Sequence, residues 1–196
     1  MSSKRILLAF CTALGVIVTV NLVGAERPGA PELESDDEGS LGSDSRVQRG
    51  LQIAPVPLDF KEGKRNLVGL GSYIVNAQGA CGDCHTCPTY EAGHNPYQGG
   101  DGKINARNYL AGGVSFGPFT SANLTPDASG RPAGMTREEF MRTIRTGRDH
   151  EHPDEILQVM PWPVYRYMTD RDLRAVYAYL RAIPRAEPGE CGGPGE

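Results

Sequence analysis

The run Cys81-Gly82-Asp83-Cys84-His85 constrains this 196-residue chain more than any other stretch of its sequence. Two cysteines separated by two residues, with a histidine directly after the second, form the attachment pattern of a c-type haem. In that chemistry both thiols bond to the edge of the macrocycle as thioethers, and the histidine supplies an axial ligand to the iron. The pattern therefore predicts one covalently attached haem c, held by Cys81, Cys84 and His85.

Two other kinds of site share part of this pattern. A bare Cys-x-x-Cys pair can act as a redox-active dithiol, and Cys81, Cys84, His85 and Cys87 together would supply four zinc ligands. Structural zinc sites usually draw ligand pairs from separated segments, and no second Cys/His cluster of suitable spacing follows in the sequence. A thioredoxin-like dithiol needs a preceding strand, whereas the residues before Cys81 have a helical pattern. Haem attachment is the preferred interpretation, and a zinc or dithiol module stays open behind it.

The N-terminus predicts export from the cytoplasm. Lys4 and Arg5 precede an uncharged apolar run over residues 6–25, and the small residues ending at Ala25 suit cleavage of a signal peptide. A run of about 20 residues is also long enough to span a bilayer, so an uncleaved anchor in the inner membrane is the alternative. Either way the remainder is expected in the periplasm, where haem is attached to thiols.

The stretch that follows, residues 26–50, is rich in Pro, Gly and Ser and carries seven acidic residues and three arginines. Such a composition cannot bury enough apolar surface to fold. We therefore expect an acidic, disordered linker over residues 26–50 and a folded domain over residues 51–196, which opens with an extended segment over residues 51–58. The net charge of −4 and the lack of a basic, aromatic stripe argue against nucleic-acid binding.

A first helix is predicted from about Arg65, leading directly into the haem motif. Leu67, Leu70 and Ile74 fall three to four residues apart, as on one face of a helix. Glycines within this pattern weaken a helix by about 1 kcal/mol each relative to Ala. Their presence has two explanations: the helix is simply a weak one, or another backbone crosses it closely at that point.

Two further helices are predicted from nearly identical start signals. Thr136 and Thr169 each precede an acid three residues on, Glu139 and Asp172, which is the pattern of a capping box. The first of these helices is expected to end at Gly147 and the second before Pro184. The second carries one apolar stripe, which we expect to cross the glycine-bearing helix. Its residues are Leu173, Val176, Tyr177 and Leu180.

The methionines of the domain are candidates for the second axial ligand of a haem iron. Met135 and Met168 stand just before the two capping threonines, where a hydrophobic staple explains them, and Met141 fits core packing within a helix. Met160 remains, and it precedes Pro161 in a stretch whose prolines prevent helix interior and favour a stiff loop. Met160 is therefore the candidate distal ligand.

Histidines compete with Met160 for that position. His150 and His152 lie in a heavily charged stretch that is typical of an exposed loop, and His94 lies in a loop rich in glycine and proline. These surroundings favour solvated side chains over iron ligands.

At these residues the chain resembles a class I c-type cytochrome. It is most similar to the single-haem domains of cytochrome c subunits of membrane-bound dehydrogenases. The matching stretches are residues 70–75, 81–86, 111–113, 123–127, 140–147 and 160–180. The resemblance implies an all-α cytochrome c fold, with three to five helices around one covalently bound haem and long irregular loops. It also implies thioether bonds at Cys81 and Cys84, proximal ligation by His85 and distal ligation by Met160.

The function implied by this resemblance is that of a periplasmic one-electron carrier, not an enzyme with catalytic residues of its own. Its partners would be redox proteins of a respiratory or dehydrogenase chain. Phe116, Phe119 and Trp162 are expected to pack against the haem. Four arginines could face a partner, although a solvated helix face is the preferred interpretation; they are Arg137, Arg142, Arg145 and Arg148. The alternative is a haem enzyme or sensor in which Met160 is labile and the iron binds a small molecule such as peroxide.

Two cysteines depart from the family pattern. Cys87 and Cys191 are spare thiols in a chain predicted to be exported, and such pairs commonly form disulfides. A Cys87–Cys191 bond requires the two Cα atoms to lie within about 7 Å. Cys11 lies in the leader and is not expected to take part.

Overall fold

The computed structural model describes residues 44–60 and 65–191. Within these ranges the chain forms six α-helical segments and one two-stranded sheet. The helices are α1 (Ser45–Ile53), α2 (Arg65–Tyr73), α3 (Cys81–His85), α4 (Arg137–Thr146), α5 (Trp162–Tyr165) and α6 (Asp170–Ala182), and the strands are β1 (Ser115–Phe116) and β2 (Phe119–Thr120). None of the helices in the described ranges has the length and apolar character needed to cross a membrane. The predicted leader and most of the predicted linker lie outside the described residues.

Local capping determines where α4 and α6 begin. The Thr136 hydroxyl accepts a hydrogen bond from the Glu139 N–H, and the Glu139 carboxylate accepts one from the Thr136 N–H at 2.8 Å. Thr169 and Asp172 form the same capping box at the start of α6. Helix α4 ends at Gly147, whose φ of 70° lies in the left-handed region that glycine adopts without strain. Both predicted helices are confirmed with their boundaries.

Helix α2 is crossed closely by two neighbours, as its glycines predict. A methyl group at Gly71 would collide with the Ala175 carbonyl of α6, and one at Gly69 would collide with Val47 of α1. The apolar stripe of α6 is buried in this core. The expected crossing of α6 and the glycine-bearing helix is therefore confirmed, but the α6 residues closest to Gly71 are Ala175 and Tyr179, not the residues of the predicted stripe.

Helix α1 corrects the predicted domain boundary. Residues 45–50, which were assigned to the disordered linker, form most of this helix, with Asp44 capping it through a bond from the Arg46 N–H. Val47 is fully buried, and the Gly50 carbonyl accepts a 2.7 Å hydrogen bond from the Ser72 hydroxyl of α2. The folded domain therefore begins before residue 51, because packing on α2 supplies the apolar burial that the local composition lacks. Residues 51–53 are also helical rather than extended.

The fold is mostly helical and is compatible with a cytochrome c-like fold, but it is not all-α. Strands β1 and β2 form a hairpin in which Phe116 pairs with Phe119. The six α-helical segments in the described ranges exceed the predicted three to five, although α3 and α5 have only five and four residues. Between α3 and α4 the chain consists of long loops, two short 3₁₀ turns and the hairpin, as expected.

The C-terminal residues return to the loop that follows α3. Cys87 and Cys191 form a disulfide, with their Cα atoms 5.3 Å apart. The predicted pairing of the two spare cysteines is confirmed.

Candidate functional site

Helix α3 carries all three residues of the haem motif within five positions. Cys81 is its first residue and His85 its last, so both thiols and the imidazole project from little more than one helical turn. The chain enters α3 through a π-helical segment, Ile74–Gln78, and then through Ala80, whose φ of 48° is left-handed.

The His85 ring is oriented by a backbone carbonyl. Its Nδ1 atom lies 2.8 Å from the Ala122 oxygen. A carbonyl oxygen can only accept a hydrogen bond, so Nδ1 carries the proton and Nε2 of the neutral ring keeps its lone pair. Burial lowers the pKa of His85, which favours this neutral form, although the Ala122 bond acts in the opposite direction. The ring is therefore prepared to bind a metal through Nε2.

The two motif cysteines are free thiols. Burial raises the pKa of the Cys81 thiol to about 12, and burial together with the charge of Asp83 raises the pKa of Cys84. Reactive dithiols show the opposite behaviour, because their chemistry depends on a lowered thiol pKa. The pair thus does not have the electrostatics of a dithiol redox centre. Two uncharged thiols on one turn beside a metal-ready imidazole fit the predicted haem.

The zinc interpretation loses its fourth ligand in this structure. The sulfur of Cys87 is bonded to Cys191 and is not available as a thiolate. Within the two described ranges, no three side chains of His, Cys, Asp or Glu converge on a point where a metal ion is held. A haem iron needs only the single imidazole from α3, so these observations disfavour zinc but not haem.

Met160 lies two residues before the start of α5, outside a helix as its neighbouring prolines predict. The side chain is half-buried and packs against the same core as Cys81. The Met160 carbonyl accepts a 2.8 Å hydrogen bond from the Trp162 N–H, and the indole N–H of Trp162 donates to the Leu157 carbonyl at 3.1 Å. Pro163 occupies the first turn of α5, where proline is tolerated because that N–H needs no helical partner.

A tyrosine that sequence reasoning missed connects this segment to the haem motif. The Tyr165 hydroxyl donates a 2.6 Å hydrogen bond to the carbonyl of Gly79, two residues before Cys81. Burial raises the pKa of Tyr165, and the nearby Cys81 and Cys84 raise it further. The structure thus brings the segment that carries Met160 beside the entry to α3.

A buried polar cluster, also missed from the sequence, lies behind this region. The Tyr109 hydroxyl donates to the Asn76 side-chain oxygen at 2.6 Å, and the Asn76 amide donates to the Tyr179 hydroxyl at 3.2 Å. The two hydroxyls lie 3.0 Å apart, so a hydrogen bond from Tyr179 to Tyr109 completes a closed ring of hydrogen bonds among the three side chains. Burial raises the pKa of both tyrosines. The ring joins the π-helical segment, the loop before β1 and helix α6.

The competing histidines pair with carboxylates on loops. His94 lies 2.7 Å from Asp101, and His152 is 3.7 Å from Asp149 with 67% of its side chain exposed. His150 is half-buried and lies 4.0 Å from Glu151. Among the aromatic residues expected to pack on a haem, Trp162 is half-buried, whereas Phe119 is 46% exposed on β2.

Two of the arginines suggested as partner contacts are used within the fold. Arg145 donates to the carbonyls of Arg166 and Met168, and its 2.5 Å bond to Asp170 reaches the first residue of α6. Arg148 donates to the Pro153 carbonyl at 2.8 Å. These two side chains stabilise contacts within the fold, which leaves Arg137 and Arg142 as the exposed arginines of α4.

Comparison with known proteins gives a consistent result. The chain is 30% identical over 114 residues to the gluconate 2-dehydrogenase cytochrome c subunit of Pantoea cypripedii, covering 58% of this chain and 22% of that protein. It is 25% identical over 144 residues to the cytochrome c subunit of alcohol dehydrogenase (quinone) from Gluconacetobacter polyoxogenes, covering 71% and 30%. It is 28% identical over 120 residues to the fructose dehydrogenase cytochrome subunit of Gluconobacter japonicus, covering 59% and 21%.

No family model matches the chain. The chain spans about a quarter of the length of the curated relatives it matches. These relatives are cytochrome subunits of dehydrogenases, so the similarity supports a role in electron transfer.

Proposed function

We propose that this protein is a periplasmic one-electron carrier with a single c-type haem, which passes electrons between redox proteins of a dehydrogenase chain. Cys81 and Cys84 would hold the haem through thioether bonds, and His85 and Met160 would bind its iron. The observation that carries this proposal is the 2.8 Å contact between His85 Nδ1 and the Ala122 carbonyl. It leaves Nε2 unprotonated and directed by the fold, on the same helix as two free thiols.

When bound, the haem supplies an iron centre that gains and loses one electron. The residues of the chain set the properties of that centre. The Ala122 carbonyl fixes the tautomer and direction of the His85 ring and raises its basicity as a ligand. A methionine sulfur in the distal position raises the reduction potential relative to a second histidine. The turn around Pro161 and the bond from Tyr165 to Gly79 restrain the segment that presents Met160.

The disulfide supports the proposed location. Disulfides form and persist in oxidising compartments, which include the bacterial periplasm, and are rare in the cytoplasm. The Cys87–Cys191 bond is therefore consistent with export directed by residues 1–25. Mass spectrometry of the mature N-terminus separates cleavage after Ala25 from retention of an N-terminal anchor in the inner membrane.

The proposal is tested by the mass of the purified protein and of its tryptic peptides. We expect one haem attached to the peptide that contains Cys81 and Cys84, and loss of covalent haem in the Cys81→Ala/Cys84→Ala variant. The Cys191→Ser variant removes a different cysteine and should keep the haem. A wild-type protein without covalent haem would overturn the proposal and favour the zinc or dithiol interpretation instead.

Carbon monoxide binding to the reduced protein separates the electron carrier from a haem enzyme or sensor. With Met160 and His85 both bound to iron, we expect little binding on the time scale of mixing. Rapid, complete binding would mean an open or labile position at the iron, and the haem-enzyme alternative would replace the proposed carrier.

A further inference from the structure

The last described residues, 184–191, lie against the loops between α3 and α4. We call residues 184–191 the C-terminal strap. Its Ala186 carbonyl accepts a 2.8 Å hydrogen bond from the side-chain amide of Asn123, and the Ala186 N–H donates to the Thr125 hydroxyl at 3.2 Å. The Glu187 carbonyl accepts a 2.8 Å bond from the Asn108 amide. Three side chains of these loops therefore bind the strap: Asn108, Asn123 and Thr125.

The end of the strap is fastened covalently. Cys191 is bonded to the fully buried Cys87, across a sequence separation of 104 residues. Gly189 lies so close to the Cys87 carbonyl that a methyl group on its Cα would collide with that oxygen. The disulfide thus holds the strap against the segment that leaves α3.

These contacts reach both partners of the hydrogen bond that orients the proximal imidazole. Asn123 directly follows Ala122, whose carbonyl accepts from His85, and Cys87 follows His85 by two residues. Ala122 itself is exposed in a loop. At the neighbouring Ser121, the carbonyl accepts a 3.0 Å bond from the Gly113 N–H, and the N–H donates a 2.9 Å bond to the Val114 carbonyl. His85 and Ala122, the donor and the acceptor of the imidazole hydrogen bond, therefore both lie within two residues of a position that is bonded to the C-terminal strap.

We propose that the C-terminal strap, locked by the Cys87–Cys191 disulfide, is a positioning element that holds the Ala122 carbonyl against His85 and thereby lowers the reduction potential of the iron. This inference rests on the proposed function, because it assigns the strap a role toward the same iron site. Asn123 and Cys191 are positioning residues in this scheme, since they act on His85 only through the loop.

The direction of the effect follows from the chemistry of the imidazole. A hydrogen bond from Nδ1–H to a carbonyl draws the proton away from the ring and increases electron donation at Nε2. Stronger donation favours the oxidised iron, so a firmly held Ala122 carbonyl lowers the potential. Releasing the strap allows the Ala122 carbonyl to move away from His85, which weakens their hydrogen bond and should raise the reduction potential.

The test compares the holoprotein with its Cys191→Ser variant in an equilibrium redox titration. We expect the equilibrium constant for reduction to increase about threefold, which is about 30 mV at 59 mV per tenfold for a one-electron couple. By NMR, the His85 Nδ1–H should exchange with solvent about tenfold faster in the variant. If the disulfide only stabilised the fold, its removal in Cys191→Ser would lower the melting temperature without changing the reduction potential.

Two further proteins complete the design. Asn123→Ala keeps the disulfide but removes the contact with Ala186, and it should move the potential in the same direction as Cys191→Ser. Glu190→Asp changes an exposed residue of the strap, keeps its charge and should leave both readouts at the wild-type value.

Unchanged potential and unchanged exchange in both Cys191→Ser and Asn123→Ala would overturn the inference while leaving the carrier function intact. If the wild type carries no covalent haem, the proposed function fails instead. The exchange rate of the His85 Nδ1–H, measured on that haem-free protein, then still decides whether the strap positions Ala122.

Discussion

Tyr165 donates its hydroxyl to the Gly79 carbonyl at 2.6 Å, across 86 residues of sequence. The donor lies at the end of α5, five residues after Met160, and the acceptor lies two residues before Cys81. One hydrogen bond therefore joins the segments that carry the proposed distal ligand and the two haem-binding cysteines. Its loss should loosen one segment relative to the other.

Tyr165→Phe tests this connection. Removing the hydroxyl leaves the Gly79 carbonyl without its partner and should lower the free energy of unfolding by about 1 kcal/mol. Added imidazole should also displace Met160 from the iron several-fold faster, as followed by stopped-flow absorbance, because the segment is less restrained. Tyr167→Phe is the matched control, since that ring is 81% exposed. Equal displacement rates in the two variants would contradict the role given to Tyr165.

Met160→Ala tests the distal ligand. We expect the methionine-to-iron charge-transfer band to disappear and the reduction potential to fall, because a sulfur ligand that favours reduced iron is lost. Met141→Ala is the control, since Met141 is half-buried in α4 and should cost only about 1–2 kcal/mol of stability while the band remains. Absence of the band in the wild type, or its survival in Met160→Ala, would reject the assignment.

Asn76→Leu tests the buried ring of hydrogen bonds. The substitution removes one of the two hydrogen-bond partners of each tyrosine hydroxyl and leaves only the bond between Tyr109 and Tyr179 in a buried environment, so it should lower the free energy of unfolding by about 2–4 kcal/mol. Chemical denaturation of the purified variant measures this loss.

The same ring offers an internal comparison. Adding Tyr109→Phe and Tyr179→Phe to Asn76→Leu removes the two hydroxyls that have lost Asn76 as a partner, so the triple variant should be more stable than the single one. A triple variant that loses the sum of the separate costs would show that packing, and not unpaired polar groups, dominates at this position.

Arg145→Ala tests whether this side chain serves the fold rather than a partner. The change removes bonds to the carbonyls of Arg166 and Met168 and to Asp170, and should cost about 2–3 kcal/mol in thermal unfolding. Arg142→Ala, on the same helix but exposed, should stay within about 0.5 kcal/mol of the wild type. Similar stabilities of the two variants would contradict the structural role.

The parts of the fold that could be predicted from the sequence are those determined by neighbouring residues. The capping boxes at Thr136 and Thr169 and the left-handed glycine at 147 act within a few positions, so the ends of α4 and α6 could be read directly. The haem motif is equally local, because α3 contains all of it. In contrast, α1 depends on Val47 and Gly50 packing against α2, which nothing in its polar composition indicates.

The candidate site was incomplete from the sequence for a related reason. The acceptor for His85 is the backbone oxygen of Ala122, and a backbone carbonyl leaves no trace in residue type. Tyr165 and Asn76 are ordinary residues whose importance arises only when distant segments meet. The pairing of Cys87 with Cys191 could be predicted from the sequence, because they are the two cysteines left over when the haem motif and the leader are set aside.

The two glycines of α2 have a consequence for how the chain tolerates changes in length. Gly69 faces α1 and Gly71 faces α6, and positions two apart on a helix point about 200° from each other. Inserting or deleting one residue between them would rotate one contact by about 100° and place a side chain where a backbone must pass. The length of α2 between these two positions therefore fixes how α1 and α6 can both contact it.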